Sequence, residues 1–190
     1  MAIMRRFHIP GLNMTNLLHL LNLFTRRSGQ AVRWLSLLMV IASCLVVILR
    51  YSFDMPSIAL QESVMYLHAS LFMLGAAYTW QQGGHVRVDV FYRNWPAKRQ
   101  ALVDRAGILL LVIPTCLFML WVSWDYVASA WAIGEKSQES GGLPFVYLLK
   151  TLILVMPVLM LIQALAEFGN TFTGGKDAED KHSEQEAHYG

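Results

Sequence analysis

WLSLLMVIASCLVVIL, residues 34–49, contains no charged side chain, with Arg33 before it and Arg50 after it. Three further stretches have the same character: residues 57–80, 106–124 and 151–166, of which only the first holds an acid, Glu62. The hydrocarbon core of a bilayer takes roughly 20 mostly apolar residues per helix. The first and last stretches reach that length when Arg33, Arg50 and Lys150 extend their charged ends to the headgroups. The fold class read from this pattern is all-α integral membrane, with four transmembrane helices at about 33–50, 57–80, 105–127 and 146–168.

The rest of the composition agrees. Of 190 residues, 55% are hydrophobic and 15% charged, which leaves room for one membrane domain and little else. The formal net charge of +2 is spread among the loops and forms no nucleic-acid patch. Cys44 and Cys116 both fall inside spans and read as small apolar residues without a disulfide, metal or redox spacing. The first apolar run starts after about thirty residues and lacks a small-x-small cleavage pattern, so it reads as a retained helix.

Cytoplasmic segments are enriched in Lys and Arg. Arg5, Arg6, Arg26, Arg27 and Arg33 precede the first span. Arg87, Arg93, Lys98, Arg99 and Arg105 lie between the second and third, and Lys176 and Lys181 in the tail. Only Arg50, Lys136 and Lys150 belong to the other side. Both termini are therefore expected in the cytoplasm, with the short connections 51–56 and 132–144 on the opposite face. Aromatic residues near the span ends, such as Trp34, Trp80, Trp121 and Trp124, fit interfacial belts.

Residues 1–30 are expected to form a cytoplasmic arm. Leu17, Leu20, Leu21 and Phe24 recur at helical spacing, which predicts an amphipathic helix lying on the leaflet or packing on the bundle. Residues 31–168 form the membrane domain. Gly83 and Gly84 are expected to stop the second helix, because glycine accepts the left-handed conformation there. Pro114 and Pro157 fall within spans and should kink them. Residues 169–190 read as a disordered cytoplasmic tail.

Ionisable groups inside a membrane are costly and are functional candidates by default. Arg50 and Glu62 flank a short hairpin, and an ion pair between them would either organise a partner surface or brace the hairpin. His68 stands near mid-membrane. It fits a haem ligand, a proton relay, a quinone contact or a hydrogen bond to a neighbouring helix. Asp125 and Lys150 flank the ends of spans three and four, where they pair or reach water. Ser70, Gly75 and Ala76 on span two are close-approach points for a neighbouring helix. No P-loop, zinc motif or nucleophile–base spacing is present, no enzymatic activity is expected, and no cofactor or metal is called for. A chain this small, with dry spans, reads as an accessory subunit of something larger.

One ordered set of residues is more specific. Leu49-Arg50-Tyr51 is followed by Pro56, Glu62, Gly75-Ala76-Ala77 and then by residues 83–90, GGHVRVDV; later come Gly141-Gly142-Leu143-Pro144, Tyr147, Lys150, Pro157 and Gln163. This resembles the small membrane subunit of tripartite ATP-independent periplasmic (TRAP) transporters, the DctQ-like family, over about residues 30–168. Many members carry a tryptophan and an extra acid just ahead of the glutamate, where this chain has Ala59, Leu60 and Gln61.

The resemblance implies partners: a large membrane subunit holding the substrate and sodium sites, and a soluble periplasmic binding protein delivering an organic acid. It implies the bacterial inner membrane as location and a scaffold role beside an elevator-type large subunit, for ion-coupled uptake. On that reading His85, Arg87 and Asp89 lie at the subunit interface, Arg87 reaching lipid phosphate, or form a solvated turn. Glu135, Lys136, Glu139 and the Gly141–Gly142 turn touch the binding protein or are simply solvated. The alternative is a four-helix membrane anchor of a respiratory oxidoreductase, with haem or quinone at His68.

Overall fold

The computed structural model describes residues 14–84 and 95–170, without the side chains of residues 14–18, 28, 31, 97, 98 and 170. Among them there are helices and no strands. They are α1 (Met14–Ser52), α2 (Ile58–Gln81), α3 (Ala97–Gly107), a π-helical segment (Ile108–Val112), α4 (Ile113–Ile133) and α5 (Val146–Asn170). The expected disordered tail, apart from its first two residues, lies outside the described residues, as do His85, Arg87 and Asp89.

Three helical runs are long and apolar enough to cross a membrane: His19–Ser52, Arg99–Ile133 and Val146–Gly169. The fourth expected span, α2, has 24 residues, the same length as the last of these. Gln61, Glu62 and His68 lower its apolar character below that of the others.

The described part of the arm, from Met14, and the first span are one helix. Nothing stops the chain at residue 30, because Gly29 serves a close approach and not a helix end. A Cβ built on Gly29 would lie 2.1 Å from Cγ of Tyr78, so the Tyr78 ring occupies the space where a side chain would be. Thr25, Gly29 and Val32 form the buried side of this segment, while Leu20 and Phe24 stay about half exposed. Towards the start of α1, the Gln81 amide donates to the Asn22 carbonyl at 2.8 Å and to its side-chain oxygen at 3.2 Å. Gly75 also turns towards α1, with Val32 3.9 Å from where its Cβ would be.

Ser57 caps α2, its hydroxyl accepting from the Leu60 N–H at 3.3 Å, which satisfies one of the free donors of a first turn. Gly83, at φ 66°, ends α2 as expected. Its N–H bonds the Trp80 carbonyl and the Gly84 N–H bonds the Thr79 carbonyl, the paired closure of a Schellman stop. The π-helical segment runs directly into Pro114. A proline removes one backbone donor and crowds the preceding turn, and a wider turn is a common way for a helix to absorb that. Pro157 is buried within α5.

α5 is the hub, touching α1, α2, α4 and the π-helical segment. The buried apolar set is dominated by small residues: Ala77, Ala130, Ala164 and Ala166. Small side chains let helix backbones approach closely, which replaces the hydrophobic drive that lipid cannot supply. Substituting Gly29 with alanine should therefore separate α1 from α2 at a cost of ~1–3 kcal/mol. Thermal unfolding in detergent should show a lower midpoint for Gly29→Ala and an unchanged one for Gly75→Ala.

Candidate functional site: a carboxylate clamp at the hairpin end

The connections 53–57 and 134–145 lie at the same end of the bundle, and Glu62 is the residue that joins them. It stands in the second turn of α2, half-buried. One carboxylate oxygen accepts from the Ser137 hydroxyl. The other accepts from the Leu143 N–H at 2.6 Å. Bonds to an ionised acceptor are short and strong, and here they tie α2 to a loop more than seventy residues away in the chain.

The loop is shaped to present those donors. Gly134, at φ 58°, terminates α4. The Gly134 N–H bonds the Trp131 carbonyl and the Glu135 N–H bonds the Ala130 carbonyl, again a Schellman stop. The Ser137 N–H then bonds the Leu143 carbonyl at 3.1 Å, closing the loop on itself. Gly142 is the tight point. A Cβ there would fall 2.4 Å from the Ser137 hydroxyl oxygen and 2.7 Å from the carboxylate of Glu62. Gly141, at φ 85°, supplies the reversal just before it.

A second set of contacts braces the same loop from α5. Lys150 pairs with Glu135 at 2.5 Å, and its ammonium stands 4.1 Å from the centre of the Tyr126 ring. The Trp131 indole N–H donates to the Thr151 hydroxyl at 2.9 Å, and that hydroxyl donates to the Tyr147 carbonyl at 2.8 Å. The Trp131 and Tyr147 rings meet edge-on, 4.8 Å between centres. Glu135 is thus engaged, whereas Lys136 and Glu139 are exposed.

Two expectations need correction. The Arg50–Glu62 ion pair is not formed: Arg50 is exposed, its guanidinium 5.8 Å from the Tyr51 ring, while Glu62 faces the 134–145 loop. The Glu62 carboxylate is instead taken by donors of that loop, the Ser137 hydroxyl and the Leu143 N–H. Lys150 pairs with Glu135 and not with Asp125, because the left-handed turn at Gly134 folds Glu135 back over the start of α5. Sequence reasoning missed Ser137, the Leu143 N–H and Gly142. The available signal was the Gly141–Gly142 pair opposite a single acid that had no stated donors.

Of the remaining candidates, Ser70 and Ala76 are half-buried on α2, and His68 is exposed. No group of three or more His, Cys, Asp or Glu side chains able to hold a metal comes together among the described residues. The arrangement binds helix to loop by hydrogen bonds and offers no nucleophile–base pair.

The family model described as "Tripartite ATP-independent periplasmic transporters, DctQ component" matches residues 17–174. The chain belongs to the DctQ family. It is therefore the small component of a TRAP transporter and a multi-pass membrane protein. DctQ membership implies a large membrane subunit and a periplasmic binding protein as partners, and it does not favour an oxidoreductase anchor built on His68. No curated protein and no solved structure matches the DctQ chain significantly.

If the carboxylate clamp holds the loop, Glu62→Ala should accelerate exchange of the Leu143 amide hydrogen by about tenfold or more, and Gly142→Ala should do the same. Exchanging the charges of Arg50 and Glu62 should give no recovery, read by hydrogen–deuterium exchange over residues 134–145.

Proposed function

We propose that this DctQ chain is the non-catalytic scaffold subunit of its transporter. It holds the large, elevator-type subunit fixed in the bilayer during ion-coupled uptake of an organic acid delivered by the periplasmic binding protein. Four helices span the bacterial inner membrane, α2 among them, with both termini cytoplasmic and the hairpin end facing the periplasm. Membership of the DctQ family carries this reading.

The geometry supports it in three ways. The exposed side chains of α1 from residue 34 to 48 and of α4 from residue 117 to 124 are Leu, Ile, Val and aromatic residues with Cys44, a surface suited to lipid. The hydrogen-bonding groups at the hairpin end are spent on internal bracing, which a static element needs. The twelve basic residues assigned to the cytoplasmic side anchor that face to anionic headgroups.

Domain limits follow the same scheme: an arm over residues 1–30, a membrane domain over 31–168 and a cytoplasmic tail over 169–190. α1 has 39 residues, or about 58 Å at 1.5 Å per residue, against a core of about 30 Å. Its first third accordingly runs past the hydrocarbon into the cytoplasmic interface, where Arg26 and Arg27 meet lipid phosphate. His85, Arg87 and Asp89, outside the described residues, are proposed to meet the large subunit on the same side. The exposed part of the hairpin end, Lys136, Glu139 and Gly141, faces the binding protein.

Affinity-tagged chain extracted in mild detergent should bring with it one larger multi-span membrane protein in fixed ratio. Recovery of the tagged chain alone, from cells expressing the whole transporter, would refute the scaffold role.

A further inference from the structure

Every helix in this bundle exposes side chains, but the exposed faces differ in chemistry. From residue 34 to 48, α1 exposes Trp, Leu, Val, Ile and Cys44 only. α5 exposes Leu148, Val158 and Leu165. On α4 the exposed residues from 114 to 124 are apolar or aromatic apart from Thr115, and a threonine hydroxyl can turn back to a carbonyl of its own helix. Asp125, exposed next to this stretch, lies towards the hairpin end of α4, and the faces before it are compatible with lipid.

α2 is different. Along its length the exposed residues after Ile58 are Gln61, Met65, His68, Phe72 and Thr79. They are spaced by four, three, four and seven, so they form one narrow stripe along a single helix face. Met65 and Phe72 are 49% and 70% exposed. His68, between them, falls near the middle of α2 and makes no hydrogen bond among the described residues. An imidazole and a primary amide facing hydrocarbon would be left without partners, which lipid cannot supply. α2 is also the helix whose apolar character falls short of the three long runs. Glu62 accounts for part of that shortfall and is satisfied inside the chain by the 134–145 loop. Gln61 and His68 account for the rest and are not.

We propose that the Gln61–Met65–His68–Phe72–Thr79 stripe of α2 is the docking face for the large membrane subunit, with the His68 imidazole hydrogen-bonded to a polar group on one of that subunit's helices. The inference rests on the scaffold reading and deepens it. The occupant is a transmembrane helix offering a donor or acceptor at mid-membrane depth and small enough side chains beside it to seat Phe72. The faces of α1 and α4 are turned to lipid. Methionine adapts its shape to an irregular neighbour, which suits Met65 to such a seam.

The test uses the whole transporter in native membranes, with the photo-reactive residue p-benzoyl-phenylalanine placed at Met65 or Phe72, and at Leu38 of α1 and Val122 of α4 for comparison. Adducts to the large subunit should form from Met65 and Phe72 several-fold more than from Leu38 and Val122. Equal or reversed yields, adducts between two copies of this chain, or no α2 adduct from a complex that still co-purifies would overturn the docking face while leaving the scaffold role standing. Loss of co-purification with unsubstituted chain would overturn both. In addition, His68→Leu should lower recovery of the large subunit about threefold, the scale of one interhelical hydrogen bond in a membrane. His68→Gln should keep most of it, and the thermal midpoint of the isolated chain should not move. Undiminished recovery with leucine would remove the hydrogen bond from the proposal.

Discussion

Hydrocarbon offers no hydrogen-bond partner, and the arrangement of this chain follows from that constraint. Backbone groups at membrane depth have to be satisfied within the segment, so the chain is helical wherever it is apolar. Side chains obey the same rule. Ser43, Ser63 and Thr79 return their hydroxyls to carbonyls four residues earlier. Glu62, which cannot do so, is met by a hydroxyl and an N–H brought from the far hairpin. Gln61 and His68 stay exposed on α2 and belong to the docking face proposed above.

α2 takes part in two kinds of contact within the bundle. One side of α2 packs on α1 through Gly29 and Tyr78, and another holds the 134–145 loop through Glu62. α5 lies against α1, α2 and α4 at once. Pulling on any one of these elements loads the others. That is the mechanical property the proposed fixed support needs, and the contacts of Glu62 and Lys150 with the 134–145 loop lie at the hairpin end. The Lys150–Glu135 pair and the Trp131–Tyr147 contact stiffen the same end from the opposite side.

Much of this was legible in residues. The uncharged runs located α1, α4 and α5, because a bilayer selects on length and apolarity alone. Gly83 was legible as a helix stop, since φ 66° is a glycine conformation. Less visible were features that depend on which faces meet. Gly29 is one of them: it makes room for the ring of Tyr78, about fifty residues on. Glu62 and Arg50 are near in sequence, yet Glu62 is engaged by the distant 134–145 loop. Ser137 and Gly142 carry no signature outside the fold, because their role is to present a hydroxyl and an N–H at one point. The extension of α1 across residue 30 was hidden for the same reason: a glycine within a helix is tolerated when a neighbour fills its space.

The central claim is that this chain supports transport and performs none. The direct measurement is solute uptake into vesicles driven by an ion gradient, with the binding protein and its organic acid supplied outside. Vesicles holding this chain alone should accumulate nothing above protein-free vesicles, and vesicles holding it with the large subunit should accumulate the acid. Gradient-dependent accumulation by this chain alone would contradict the account.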